Sequence, residues 1–196
     1  MNQIDSLVEM CIKKGYITSD QAPWLHYGIE KHFTTLLVSI PMVIIGCLIS
    51  SPTMSLSFFI SFYSLRKRTS GIHAKTPTGC FIGSILGEIF FLGILSRICS
   101  STLTCFFLIT SAISIFFLAP YNHPKMNFTS EELTRYARSA RKQLIILLLI
   151  IFALYKLQYI HSAMGISLGI VMVAVTLTFA YLQKGGKNYE KANPCH

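Results

Sequence analysis

Arg138-Ser139-Ala140-Arg141-Lys142-Gln143 runs straight into Leu144-Ile145-Ile146-Leu147-Leu148-Leu149-Ile150-Ile151-Phe152-Ala153-Leu154-Tyr155, and this junction decides the fold. Cations cluster before the apolar run, and no charge interrupts it until Lys156. Such a run is read as a core helix or a membrane span, and basic residues just outside it favour the span. The same pattern recurs along the chain. Apolar runs fall near residues 28–50, 53–65, 80–97, 101–119, 143–160 and 162–183, separated by short basic segments. A helical crossing needs about 20 residues. The run at 53–65 is short of that, so it is either tilted in thinned bilayer or leaves the following segment partly submerged.

Composition agrees. The chain has 196 residues, 52% of them hydrophobic and 13% charged, with a mean hydropathy of +0.54. Soluble domains carry about 25% charged residues. The polar segments are too short to hold a separate soluble core, so a single domain over 1–196 is expected. Within it, 1–22 is a polar N-terminal segment, 66–80 and 120–142 are basic connections, and the rest lies in the bilayer. The expected fold is all-α: a polytopic membrane protein of about six transmembrane helices plus an amphipathic interfacial helix.

Charge asymmetry sets the expected topology. With a cytoplasmic N-terminus and six crossings, fifteen of the seventeen Lys and Arg residues fall inside, and only Arg97 and Lys156 lie at the other side. That bias puts both termini in the cytoplasm of a cell-membrane protein. The net charge of +9 is thereby accounted for without nucleic acid, since the cations flank apolar runs rather than forming a solvated basic face. No cofactor or metal is expected. Cys11, Cys47, Cys80, Cys99, Cys105 and Cys195 include no CxxC pair and several sit in apolar runs, which speaks against a zinc site or a disulfide framework. Residues 1–22 lack the continuous apolar core of a signal peptide.

The N-terminal helix is read from Ile4, Leu7, Val8, Cys11 and Ile12, which stack on one face at helical spacing, with Gly15 as its stop. It either lies in the membrane interface or packs as a short soluble helix on its neighbours. Trp24 reads as an interfacial anchor. Pro41 falls inside the first apolar run, where neighbouring helices commonly accommodate proline.

Two connections are long enough for chemistry. Pro120–Lys142 opens with Ala119-Pro120-Tyr121-Asn122-His123-Pro124, a turn-rich stretch. Thr129 or Ser130 then caps a helix with Glu131 and Glu132 at its start and Arg135, Arg138, Arg141 and Lys142 further on, an order that suits the helix dipole. The other connection is Arg66-Lys67-Arg68-Thr69-Ser70-Gly71-Ile72-His73-Ala74-Lys75-Thr76-Pro77-Thr78-Gly79-Cys80. A cysteine nucleophile needs a base or a cation nearby to hold it as thiolate. On an unbroken helix His73 and Cys80 would stand about 10 Å apart, too far for a hydrogen bond. Pro77 and Gly79 disfavour such a helix, and a turn through them can bring His73 back to the first turn of a helix beginning near Cys80. The helix dipole there favours a thiolate. A His and a Cys at this spacing also occur by chance, and a His at a membrane boundary can be a simple snorkelling group.

The surrounding residues carry a resemblance. Arg66…Gly71-Ile72-His73-Ala74…Cys80 resembles the signature of the accessory gene regulator B (AgrB) family of membrane cysteine peptidases. Tyr27-Gly28-Ile29-Glu30 is similar to the family's entry to its first transmembrane helix, and Ala119-Pro120 with the later basic helix is similar to its second cytoplasmic loop. The likeness covers nearly the whole chain. Ser70-Gly71 stands where many members have a Gly-Gly pair.

The resemblance implies an endopeptidase that removes the acidic tail of an AgrD-type propeptide through a thioester, releasing a thiolactone or lactone. It implies Cys80 as nucleophile and His73 as base, with Arg66 and Gly71 needed for activity. Arg66 would hold the loop or bind a substrate carboxylate. The basic residues at 66–75 and Arg135, Arg138, Arg141 and Lys142 would attract the acidic tail. A homodimer is also implied. Glu30, beside Lys31 at the entry to the first span, is a substrate-binding or loop-organising candidate with an equally simple solvated role. Glu88 is the acid inside an apolar run, and helix pairing suits it better than catalysis, because eight residues place it roughly 12 Å from Cys80 along the helix. The alternative class is a non-enzymatic transporter or scaffold whose basic loops bind lipid headgroups.

Overall fold

The computed structural model describes residues 3–69, 77–98, 101–121 and 130–192, and every regular element among them is helical. They fall into two compact units, residues 1–42 and 43–196.

In the first unit, α1 spans Gln3–Lys13. It stops where the sequence places a stop: Gly15 has φ +72°, its N–H donates to the Ile12 carbonyl at 3.0 Å, and the Tyr16 N–H donates to that of Cys11 at 3.0 Å. This is the paired bonding of a Schellman cap, and it needs the left-handed conformation that glycine adopts without cost. Val8 is buried, whereas Leu7 and Met10 are exposed. The covered side of α1 is therefore narrower than the expected stripe, which included Leu7. A short 3₁₀ turn, Ser19–Gln21, leads to α2, Ala22–Ile49, which continues through Pro41. Asp5 on α1 pairs with His26 on α2 at 3.1 Å.

The second unit takes in the last turns of α2 and everything after it. Ser51 caps α3 (Pro52–Thr69) by accepting from the Met54 N–H at 3.4 Å. Pro52 occupies the first helical position, where a missing N–H costs nothing. After α3 come α4 (Pro77–Glu88), a π-helical stretch at Ile89–Leu95, α5 (Ser96–Ile98), α6 (Ser101–Leu118), α7 (Ser130–Lys156) and α8 (Ile160–Ala192). Where π turns give way to α turns, one carbonyl loses its amide partner. The Ser96 backbone N–H reaches back to Phe91, and the Ser96 hydroxyl donates to the Leu92 carbonyl.

Helix α8 is the centre of this unit. Its residues from Ile166 to Ala174 are buried almost without interruption, as expected of a helix that is apolar all round. It packs most extensively on α3, then on α6 and α7. Glycines make the first contact possible. A Cβ at Gly165 would lie 2.3 Å from the Met54 carbonyl oxygen, and one at Gly169 would lie 2.9 Å from that of Phe58. The Gly165-x-x-x-Gly169 spacing thus brings two helix backbones into contact, as small residues do between membrane helices.

The helices differ in extent from the apolar runs. Helix α3 runs four residues beyond the expected 53–65 because Arg66, Lys67, Arg68 and Thr69 continue it. Its 18 residues give about 27 Å at the usual rise. The run expected at 143–160 is broken after Lys156 by a turn in which Gln158 has φ +65°. Gln158 and Tyr159 donate back to Tyr155 and Leu154, so this turn repeats the cap of α1 without a glycine. Among the described residues, Ile160–Leu182 is a stretch of 23 residues long and apolar enough by itself to cross a bilayer.

Candidate active site

One end of the second unit gathers the basic segments. Helix α3 delivers Arg66 and Arg68 to this end, and both are taken up by neighbours. Arg66 Nη1 donates to the Thr176 hydroxyl on α8 at 3.1 Å. Arg68 Nε donates to the Ser139 hydroxyl on α7 at 3.1 Å, and its Nη1 donates to the Ser64 carbonyl at 2.6 Å. Gln143 on α7 adds a bond to Ser64 at 3.3 Å.

The connection that follows Thr69 is tied at its root. Thr69 is fully buried, and its carbonyl accepts from the Tyr121 N–H at 3.0 Å. Tyr121 follows the Ala119–Pro120 bond, which is cis. Its ring meets Tyr181 edge-on with centroids 5.1 Å apart, and the Tyr181 hydroxyl donates to the Leu118 carbonyl at 2.8 Å. The roots of the 66–80 and 120–142 connections are therefore joined to each other and to α8.

Cys80 is the fourth residue of α4, which begins at Pro77. Proline at the first helical position fits, and it places Cys80 in the first turn, where amide groups lack intrahelical partners and the dipole is positive. His73 and Gly71 lie outside the described residues, as do the side chains of Cys80 and Glu30.

Helix α7 starts at Ser130. A groove of about 540 Å³ is lined there by Ser130, Glu131, Thr134, Arg135 and Arg138. Arg135, Arg138 and Lys142 are exposed. Arg141, one residue away, behaves differently: its Nε donates to the Phe116 carbonyl at 3.2 Å and its guanidinium lies 4.7 Å from the centre of the Phe116 ring. At the opposite end of the unit, Arg97 reaches the Ile49 carbonyl at 3.5 Å.

Thr69, Tyr121, Ser139, Thr176 and Tyr181 escaped the sequence reading. Tyr121 had a signal, since it directly follows Ala119-Pro120. Ser139 and Thr176 had none, because a hydroxyl that meets an arginine on another helix leaves no local pattern.

The family model described as Accessory gene regulator B matches residues 4–177. The chain belongs to the AgrB family. Membership supports a part in agr quorum-sensing propeptide processing and a place in the membrane. The match takes in α1 to most of α8, including Arg66, Cys80 and Thr176, and stops short of Tyr181. No curated protein and no solved structure matches the chain.

Proposed function

We propose that this AgrB-family chain is a membrane-embedded cysteine endopeptidase that cuts the acidic C-terminal tail from an AgrD-type propeptide. The observation that carries this reading is the placement of Cys80 in the first turn of α4, at the end of a connection whose root is pinned by the Thr69–Tyr121 bond. His73, seven residues before, is the base. It takes the Cys80 proton, and the thiolate attacks the carbonyl at the junction of ring-forming sequence and tail. The C–N bond breaks as His73 passes the proton to the leaving amine, and an acyl thioester on Cys80 remains. A Cys or Ser of the propeptide then displaces Cys80, closing a thiolactone or lactone and restoring the thiol.

Exclusion of water protects the thioester, and a membrane setting provides it. Exposed apolar stripes support a multi-pass arrangement: Ile40, Ile44 and Leu48 on α2, Leu56 and Ile60 on α3, Ile145 and Leu149 on α7, Val175 and Phe179 on α8. A water-soluble protein rarely exposes so much contiguous apolar surface. In this reading the chain crosses six times, α4, the π stretch and α5 act as one span, and both termini are cytoplasmic. The basic end faces the cytoplasm, the groove at Arg135 and Arg138 receives the acidic tail, and Gly71 gives the connection its turn. Two copies form the working unit.

Co-expression with a small propeptide bearing an acidic tail tests the proposal. Wild type should release the tail, while Cys80→Ala and His73→Ala should lose at least about 100-fold in rate. Equal cleavage by Cys80→Ala would leave a non-enzymatic membrane protein as the reading.

A further inference from the structure

Glu88 closes α4 and is fully buried. Neither of its carboxyl oxygens has a hydrogen-bond partner among the described residues, and the same is true of the hydroxyl of Ser55, equally buried on α3. Both groups converge on Gly46, in the last turn of α2. A Cβ at Gly46 would stand 2.6 Å from Glu88 Oε1 and 2.2 Å from Ser55 Oγ. Three helices thus meet at one polar spot, and the Ser55 and Glu88 side chains occupy the space that a side chain at Gly46 would need.

Polar groups in apolar surroundings are strongly disfavoured unless hydrogen-bonded. A carboxyl and a hydroxyl brought to the same glycine are each the partner the other needs. The attachment of α4 gives the spot its importance. The main packing of the unit is of α3, α6 and α7 on α8, and α4 has little share in it. Among the described residues it approaches α8 at its far end: Gly87 faces Met172, whose Cε lies 2.6 Å from where a Cβ would stand, and the π stretch continues along α8. Apolar contacts of this kind hold a helix without fixing its rotation. A buried polar pairing does fix register.

We propose that Glu88 is the positioning residue of the Cys80 helix: paired with the Ser55 hydroxyl over Gly46, it sets the rotation and axial register of α4. Cys80, eight residues earlier on the same helix and so about 12 Å along it, takes its place from that anchor. This rests on the reading of Cys80 as nucleophile.

The test uses the full chain in lipid nanodiscs, with every cysteine except Cys80 replaced by Ser. Alkylation of Cys80 by iodoacetamide is followed against pH, and kcat and KM are measured on an acidic-tailed propeptide. Glu88→Leu fills the same space without polarity. It should fold with an unchanged melting temperature and KM, shift the alkylation profile, and lose about 10- to 100-fold in kcat, the scale of a displacement of about 1 Å. Glu88→Gln keeps the polar pairing and should restore most of the rate. A folded Glu88→Leu with wild-type kcat and alkylation overturns the proposal. Where Glu88→Leu does not fold, Ser55→Ala decides: a several-fold fall in kcat supports the pairing, and unchanged kcat and alkylation overturn it. Failure of the catalytic reading would be seen separately, as cleavage by Cys80→Ala, while the alkylation profile still reports where the thiol stands.

Discussion

Arg66 and Arg68 end α3, and Arg135, Arg138 and Lys142 line the exposed start of α7, yet only the first pair is tied into the bundle. Arg66 bonds to Thr176 and Arg68 to Ser139 and Ser64. The α7 residues Arg135 and Arg138 instead border an open groove. Two clusters that look alike by charge therefore differ in their surroundings. Cations held by hydroxyls and carbonyls fix the geometry of helix ends, whereas cations left in solvent create a field that attracts acidic partners. Arg141 belongs to the first kind although it sits among the second, because helical periodicity turns it toward Phe116.

The largest effect should come from the seam that supports the anchored cluster. Gly165→Leu would drive a side chain into the Met54 carbonyl and separate α3 from α8. A loss above about 4 kcal/mol is expected, enough to prevent folding, with no monodisperse protein after detergent extraction. Normal yield and melting temperature would show that the α3–α8 approach is not what holds the arginines in place. Next comes Arg66→Ala. It leaves the Thr176 hydroxyl without its charged partner and should cost about 1–3 kcal/mol, lowering cleavage equally for propeptides with acidic or neutral tails. A defect confined to acidic tails would instead assign Arg66 to substrate binding. The smallest effect on stability belongs to Arg135→Ala with Arg138→Ala, within about 0.5 kcal/mol. KM for an acidic-tailed propeptide should rise about 3- to 10-fold, and its salt dependence should weaken, as when exposed steering charges are removed. Arg141→Ala is the control and should leave KM unchanged; a matching rise there would erase the distinction between the clusters.

The candidate site was legible where chemistry leaves a local mark. A helix beginning near Cys80 was legible, but Pro77 and Gly79, read as a turn before it, already belong to α4, because proline is tolerated in a first helical turn. Gly15 announced the end of α1, and Ser130 the start of α7. The extent of α3 was less legible, because Arg66–Arg68 read as a loop by polarity although they continue the helix. Basic side chains at a helix C-terminus suit the dipole and favour that continuation. The turn at Gln158 was missed because its left-handed residue is not a glycine.

By itself the sequence determined an all-helical chain, its membership of the AgrB family, the basic–apolar alternation and the residues proposed for catalysis. The fold class and the alternation follow from composition, local period and turn chemistry, which act between neighbours in the chain; the family rests on the match over residues 4–177 and the proposed catalytic residues on the motif resemblance. Tertiary structure decided which cations are bound and which are free, that the roots of two basic connections meet at Thr69 and Tyr121, and that Gly46, Ser55 and Glu88 share one spot. Those facts depend on contacts between helices distant in sequence. Burial there makes each unpaired polar atom costly and each missing Cβ decisive, and no local pattern records either.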